Sequence, residues 1–122
     1  MSLSTGTCSD ISLEDDHILH ASCKGYVSPD PRMPPKKAKK AQLDLDQCFV
    51  NSLGTLNRVY SGGGYSASCV ACLIQDLTLR CSCETGLKQP ELKTNFVNLD
   101  DFRTIHVSTD GDLSCPDSTG IE

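Results

Sequence analysis

A chain of 122 residues has room for one domain, or for two very small lobes sharing a core, and its 38% hydrophobic and 22% charged content suits a globular fold. The formal charge of −5 argues against a general nucleic-acid binder, and no apolar run approaches membrane-spanning length. With three Phe, three Tyr and no Trp, the core must draw on Leu, Ile, Val and sulfur.

The first predicted element, residues 8–23, lies between Cys8 and Cys23. It runs strand, turn, strand: its tip is the polar Glu14-Asp15-Asp16, and its return arm, LHASC (19–23), alternates apolar and polar residues as a half-buried hairpin does. The next stretch, VSPDPRMPPKKAKKAQ (27–42), holds four prolines and four lysines. It reads as a solvated loop inserted between two strands, and its KKAKK run (36–40) as a solvated face rather than a targeting or anion-binding tract. LDLDQCFVNSLGTL (43–56) opens as a half-buried strand and ends in a Gly turn. SGGGY (61–65) is a joint, or a place of close backbone approach. A second cysteine span follows at 69–83, with the tip Gln75-Asp76 and the return arm LRCSC (79–83). VNLDDFRTIHVSTDGDL (97–113) then repeats the strand-and-Gly-turn phrase, and the tail 116–122 is predicted to be disordered.

These phrases recur in order, so the chain reads as a tandem repeat, about 3–60 and 61–115, within one domain of 1–115. Superposing the opening cysteines sets Ile11 on Cys72, and superposing the closing ones, Cys23 and Cys83, sets Ala21 on Cys81. Ile11 and Ala21 should therefore face each other, and Cys72–Cys81 should nest inside Cys69–Cys83, both pairs fitting one hairpin register. Closing such a loop contributes about 3 kcal/mol in the chain-entropy model, and the nested bond adds less. The second copy is about three residues longer, since Leu45 to Gly54 is nine steps and Leu99 to Gly111 is twelve. Cys48 and Cys115 either bridge the lobes or stay as buried thiols.

A rival reading takes Cys69-x2-Cys72 with Cys81-x-Cys83 as a four-thiolate zinc site, or the chain as a redox interaction module; it leaves the matching span 8–23 unexplained. His17, His20 and His106 show no metal-like pairing. Asp44, Asp46, Asp100 and Asp101 read as strand-edge and turn residues with no nucleophile beside them, so no enzyme is expected. The N-terminus lacks the basic start and apolar stretch of a signal peptide, which reads as cytoplasmic. Eight cysteines favour an oxidising or extracellular setting instead.

The whole pattern resembles the cyanovirin-N homology family of lectins. The matching pieces are Thr7-Cys8 with Cys23, LDLDQCFVNSLGTL, YSASC (65–69) with Cys83, and VNLDD…TDGDL, in the family's order and covering most of residues 3–115. The resemblance implies an all-β fold of two pseudo-symmetric lobes, each a three-stranded sheet plus a hairpin, with segments exchanged between the repeats. It implies binding of mannose-type or related oligosaccharides, or of glycoproteins bearing them, with no metal or other cofactor. Carried over residue by residue, the first-lobe site comprises Thr5, Gly6 and Thr7, then Lys24, Gly25 and Tyr26, then Ser108 and Asp110. The second-lobe site comprises Val50, Asn51 and Leu53, then Gly63, Gly64 and Ser68, then Glu84, Gly86 and Lys88. Ser108 stands where the family usually has Asn, Lys24 where it has an acid, and Leu53 in place of a turn aspartate, which makes the second site the weaker. A monomer is expected, with domain swapping as the hazard of two similar lobes sharing a hinge.

Overall fold

In strand β2 (Ile18–Cys23), Leu19, Ala21 and Cys23 are buried and the residues between them are not. In β7 (Thr78–Glu84), Leu79, Cys81 and Cys83 do the same. Period-two alternation thus turns LHASC and LRCSC into the central strands of two sheets. The computed structural model describes residues 1–59, 62–86 and 91–115. In it, β2 lies between β1 (Cys8–Glu14) and β3 (Lys39–Asp44), and β7 lies between β6 (Cys69–Gln75) and β8 (Leu92–Asn98), all antiparallel. Two hairpins complete the set: β4 (Phe49–Ser52) with β5 (Thr55–Arg58), and β9 (His106–Val107) with β10 (Leu113–Ser114). The fold is nearly all-β. Among the described residues the only helical pieces are two short 3-10 turns, Leu45–Gln47 and Tyr65–Ala67, and no helix is long and apolar enough to cross a membrane.

The expectation of one register for both nested cystines is corrected. Cys69 pairs with Cys83, but the register shifts before Leu73 pairs with Arg80. The extra residue is Ala71, at φ 55, and Asp10, at φ 53, occupies the same place in the first hairpin. Parity demands the bulge. Cys69 and Cys72 must both face inward, yet residues three apart on a regular strand face opposite ways, while Cys83 and Cys81 are two apart and do not. Beyond the bulge Cys72 bonds Cys81 with Cα atoms 4.2 Å apart, and Ile11 takes the corresponding half-buried position in the first hairpin.

The expected loop at 27–42 also ends early, because β3 begins at Lys39 and pairs Lys39 with Cys23 and Gln42 with His20. The prolines stop at Pro35, so every later residue has an N–H to give the ladder. The three extra residues of the second copy divide. Two enter the turn before β9, where the Thr104 and Ile105 N–H groups both donate to the Asp101 carbonyl (2.8 and 2.9 Å). One enters the β9–β10 turn, which spans 109–111 against Leu53-Gly54 in the other hairpin.

Each hairpin serves the sheet of the other repeat. On β8, Asn95 accepts from the Leu56 N–H (3.1 Å) and donates to the Gly54 carbonyl (2.7 Å), while Lys93 donates to Thr55 (2.8 Å). In the other lobe, Val107 N–H donates to the Met1 carbonyl (2.7 Å), Tyr26 N–H to the Thr109 carbonyl (3.1 Å), and Lys39 pairs with Asp112 (2.6 Å). Cys48, just before β4, bonds Cys115, just past β10, so this pair cross-links the two exchanged hairpins. Leu3, Leu19, Leu45, Leu79, Leu99, Ile105 and Val107 are fully buried with Phe49 and Tyr65 in one continuous core. Each such aliphatic side chain contributes about 1.5–3 kcal/mol. The Phe49 and Tyr65 rings meet edge-on at 6.1 Å, and the Tyr65 hydroxyl, whose pKa burial raises strongly, donates to the Asp16 carbonyl (2.6 Å).

Candidate functional site

Three segments distant in sequence meet in the first lobe. Gly25 N–H donates to the Gly6 carbonyl (2.9 Å), Lys24 N–H to the Thr7 carbonyl (3.4 Å), and Tyr26 N–H to the Thr109 carbonyl (3.1 Å). Of the residues expected there, these bonds bring Gly6, Thr7, Lys24, Gly25 and Tyr26 together with Thr109, and Thr5, Ser108 and Asp110 adjoin them in the chain. Gly25 makes the approach feasible. It sits at φ +72, and a Cβ there would fall 2.7 Å from the Thr109 carbonyl carbon and 2.8 Å from Gly111 N. The Ser108 hydroxyl oxygen accepts from the N–H groups of Asp110 (3.3 Å) and Asp112 (3.0 Å), which shapes the turn but leaves its own proton free to donate. Asp110 is exposed, and its carboxylate makes no hydrogen bond among the described residues. Thr5, in contrast, is occupied: its hydroxyl oxygen accepts from Ser2 N–H (2.8 Å) and contacts Ser2 Oγ (2.9 Å). It props the N-terminal turn.

In the second lobe a recess of about 190 Å³ is walled by Asn51, Leu53, Ser68, Glu84, Thr85 and Gly86. Asn51 is its hinge pin. Its amide donates to Ser68 Oγ (2.9 Å) and to the Glu84 carbonyl (2.9 Å), and its carbonyl accepts from Gly54 N–H (2.8 Å). The side chain thus joins the first repeat to two points of the second, and both its donor protons are committed. Ser68 keeps its hydroxyl proton, and Glu84 is exposed. Leu53, 79% exposed at φ 52, forms an apolar lip. Three other expected residues lie outside this wall. Val50 pairs with Asn57 in the hairpin, Gly63 packs against the Phe49 carbonyl, and Gly64 donates its N–H to the Asp46 carbonyl (2.8 Å). Lys88 lies outside the described residues.

Two contributors escaped the sequence reading. Thr109 supplies the carbonyl on which Tyr26 docks, and Thr85 presents a buried hydroxyl with no partner among the described residues. Each sits between two residues that were singled out, so adjacency alone pointed to them.

The histidines differ from expectation at one point. His17 Nδ1 donates to Asp44 (2.8 Å) and lies 3.5 Å from Asp46, a grouping with metal-ligand residue types. The carboxylates are already engaged: Asp44 accepts from Asp46 N–H (3.0 Å), and Asp46 takes both the N–H (2.8 Å) and the hydroxyl (2.6 Å) of Ser66. The cluster is a clamp between the tip of the first hairpin and the Tyr65 turn. The Asp44 hydrogen bond, aided by nearby carboxylates, holds the His17 pKa above its ordinary 6.5 despite some burial. Burial works against Asp44, but the His17 and Asp46 hydrogen bonds outweigh it and keep its carboxyl below 3.8.

All eight cysteines are paired, as Cys8–Cys23, Cys69–Cys83, Cys72–Cys81 and Cys48–Cys115. The zinc reading fails here, since a four-cysteine site needs thiolates and these sulfurs are oxidised.

A family model described as the CVNH domain matches residues 5–113. The chain belongs to the CVNH family. Solved CVNH structures share its architecture. The NMR structure of Gibberella zeae CVNH is 26% identical, with a TM-score of 0.68, over 94% of this chain and 98% of that one. A microvirin:mannobiose complex is 22% identical, with a TM-score of 0.66, over 95% and 100%. A MoCVNH3 variant in complex with (N-GlcNAc)4 is 15% identical, with a TM-score of 0.68, over 92% and 95%. No curated protein matches the sequence. Within the CVNH frame, both candidate sites lie where a hairpin of one repeat meets the sheet of the other.

Proposed function

We propose that the protein is a lectin that binds mannose-type or related oligosaccharides, free or on glycoproteins, by hydrogen bonding alone, with no metal and no catalytic step. The observation that carries this reading is the first-lobe edge, where three segments converge and the exposed Asp110 carboxylate stays unengaged next to Ser108, whose hydroxyl accepts from the Asp110 N–H. A carboxylate can accept from two adjacent sugar hydroxyls, and the glycine-lined backbone lets a ring approach closely. Family membership and the saccharides bound by the microvirin and MoCVNH3 neighbours support the class of ligand. The second-lobe recess is the weaker site, since Asn51 is spent on structure and Leu53 offers no acceptor. A chain held by four disulfides suits an oxidising or extracellular setting.

The test is an NMR titration with mannobiose and with the GlcNAc tetramer. Hydrogen bonds to a charged acceptor are worth about 1.5–3 kcal/mol, so Asp110→Ala should weaken first-lobe binding about ten- to a hundred-fold. Chelation of metals should leave the affinity unchanged. Binding that survives Asp110→Ala, or that maps away from both lobes' sites, overturns the assignment.

A further inference from the structure

The loop between β2 and β3 has the composition of solvated filler, yet it is tied to the first-lobe edge. Lys36 Nζ donates to the Tyr26 carbonyl (2.9 Å) and to the Thr109 carbonyl (2.6 Å), the same carbonyl that takes the Tyr26 N–H at that edge. Lys39 anchors the loop's end through Asp112. Between these ties the loop encloses a cleft of about 420 Å³, lined by Tyr26, Ser28, Met33, Pro34, Pro35 and Lys36. Recesses elsewhere on the two sheets, and the second-lobe recess, are about 190–200 Å³. Ligand clefts run from about 300 Å³ upward, mostly apolar with a few placed polar groups, and this cleft fits that description.

We propose that this cleft is an extension subsite: it receives the next ring of an oligosaccharide whose terminal residue sits at Asp110. This rests on the first-lobe reading above. The ligand class follows from the lining. Tyr26 and Met33 are each 56% exposed and, with Pro34 and Pro35, offer an apolar wall suited to the C–H face of a pyranose. The polar groups are few and fixed. An ammonium group has three N–H donors, and two of those on Lys36 are spent on carbonyls, so the third is held at the cleft for a ring hydroxyl. Ser28 Oγ accepts from Asp30 N–H (3.2 Å), which leaves its one proton free to donate. Tyr26 belongs to both the edge and the cleft, so the two are continuous. The loop would therefore make this lectin select for chain length over a terminal monosaccharide.

The experiment compares methyl α-mannoside, mannobiose and mannotriose on the full chain by calorimetry and amide-shift mapping. The wild type should gain at least ten-fold in affinity from the monosaccharide to the longer sugars, with shifts spreading from 108–111 into 28–36. A Met33→Ser/Pro34→Ser/Pro35→Ser variant should lose that gain and keep its affinity for the monosaccharide, whereas Asp110→Ala should lose both. An unchanged gain in the triple variant, or no sugar-dependent shift in 28–36, overturns the extension and leaves the first-lobe site standing. Unaltered monosaccharide affinity in Asp110→Ala overturns the site itself. Shifts in 28–36 that depend on protein concentration without sugar would assign the cleft to a second copy of the chain and refute the proposal.

Discussion

Asn51→Ala tests whether this side chain builds the second lobe or merely decorates it. The substitution deletes three hydrogen bonds, to Ser68 Oγ, the Glu84 carbonyl and Gly54 N–H. Ser68 and the Glu84 carbonyl lie at a partly exposed rim where water can replace the amide, so each loss should cost under about 1 kcal/mol. Gly54 is buried, and its N–H would be stranded, which costs about 1–3 kcal/mol. The expected total is about 2–3 kcal/mol. Guanidinium unfolding with the disulfides intact, followed by circular dichroism, measures it. A double-mutant cycle with Ser68→Ala should return a coupling of about 0.5–1.5 kcal/mol. Amide shifts should concentrate at 53–54 and 84–86 and spare 24–26 and 108–111. A loss below 0.5 kcal/mol with no coupling would refute the clamp and return Asn51 to the role of a free sugar contact.

The Cys48→Ala/Cys115→Ala variant opens a loop of 67 residues, for which the chain-entropy relation gives about 4 kcal/mol. Cys72→Ala/Cys81→Ala opens only 9 residues inside a loop already closed by Cys69–Cys83 and should cost less than about 3 kcal/mol. Denaturant midpoints should fall in that order, and the reverse order would contradict the cross-link between hairpins. Gly25→Ala must place a side chain at positive φ against Thr109; it should cost at least about 2 kcal/mol by thermal melting and abolish first-lobe binding in the same titration. The His17 clamp is sensitive to pH on both sides. The His17 pKa is raised, so its contribution is full below about 6.5 and fades as pH rises through the folded value. That of Asp44 is lowered, so its contribution is full above about 3.8 and fades as pH falls through the folded value. His17→Gln should therefore lower the melting temperature most near about pH 5–6 and progressively less as pH rises through the folded His17 value, and a pH-independent loss would rule the clamp out.

The two hairpins, their cysteine pairing and the doubled architecture were legible in the sequence, because alternation and paired cysteines are local signals that act within about fifteen residues. The bulges at Asp10 and Ala71 were implicit in the same letters, since inward residues three apart require one, but the parity had to be seen in register to be noticed. The strand starting at Lys39 was hidden by its lysines, because an edge strand tolerates charge on the face it turns to solvent. Tertiary structure alone decided the rest. Whether Asn51 reaches a sugar or a neighbouring backbone, and whether Cys48 meets Cys115, depends on where a hairpin lands on the other repeat's sheet. Those contacts join residues tens of positions apart. Which hydroxyls and carboxylates stay free to bind is what remains after the long-range hydrogen bonds have been made.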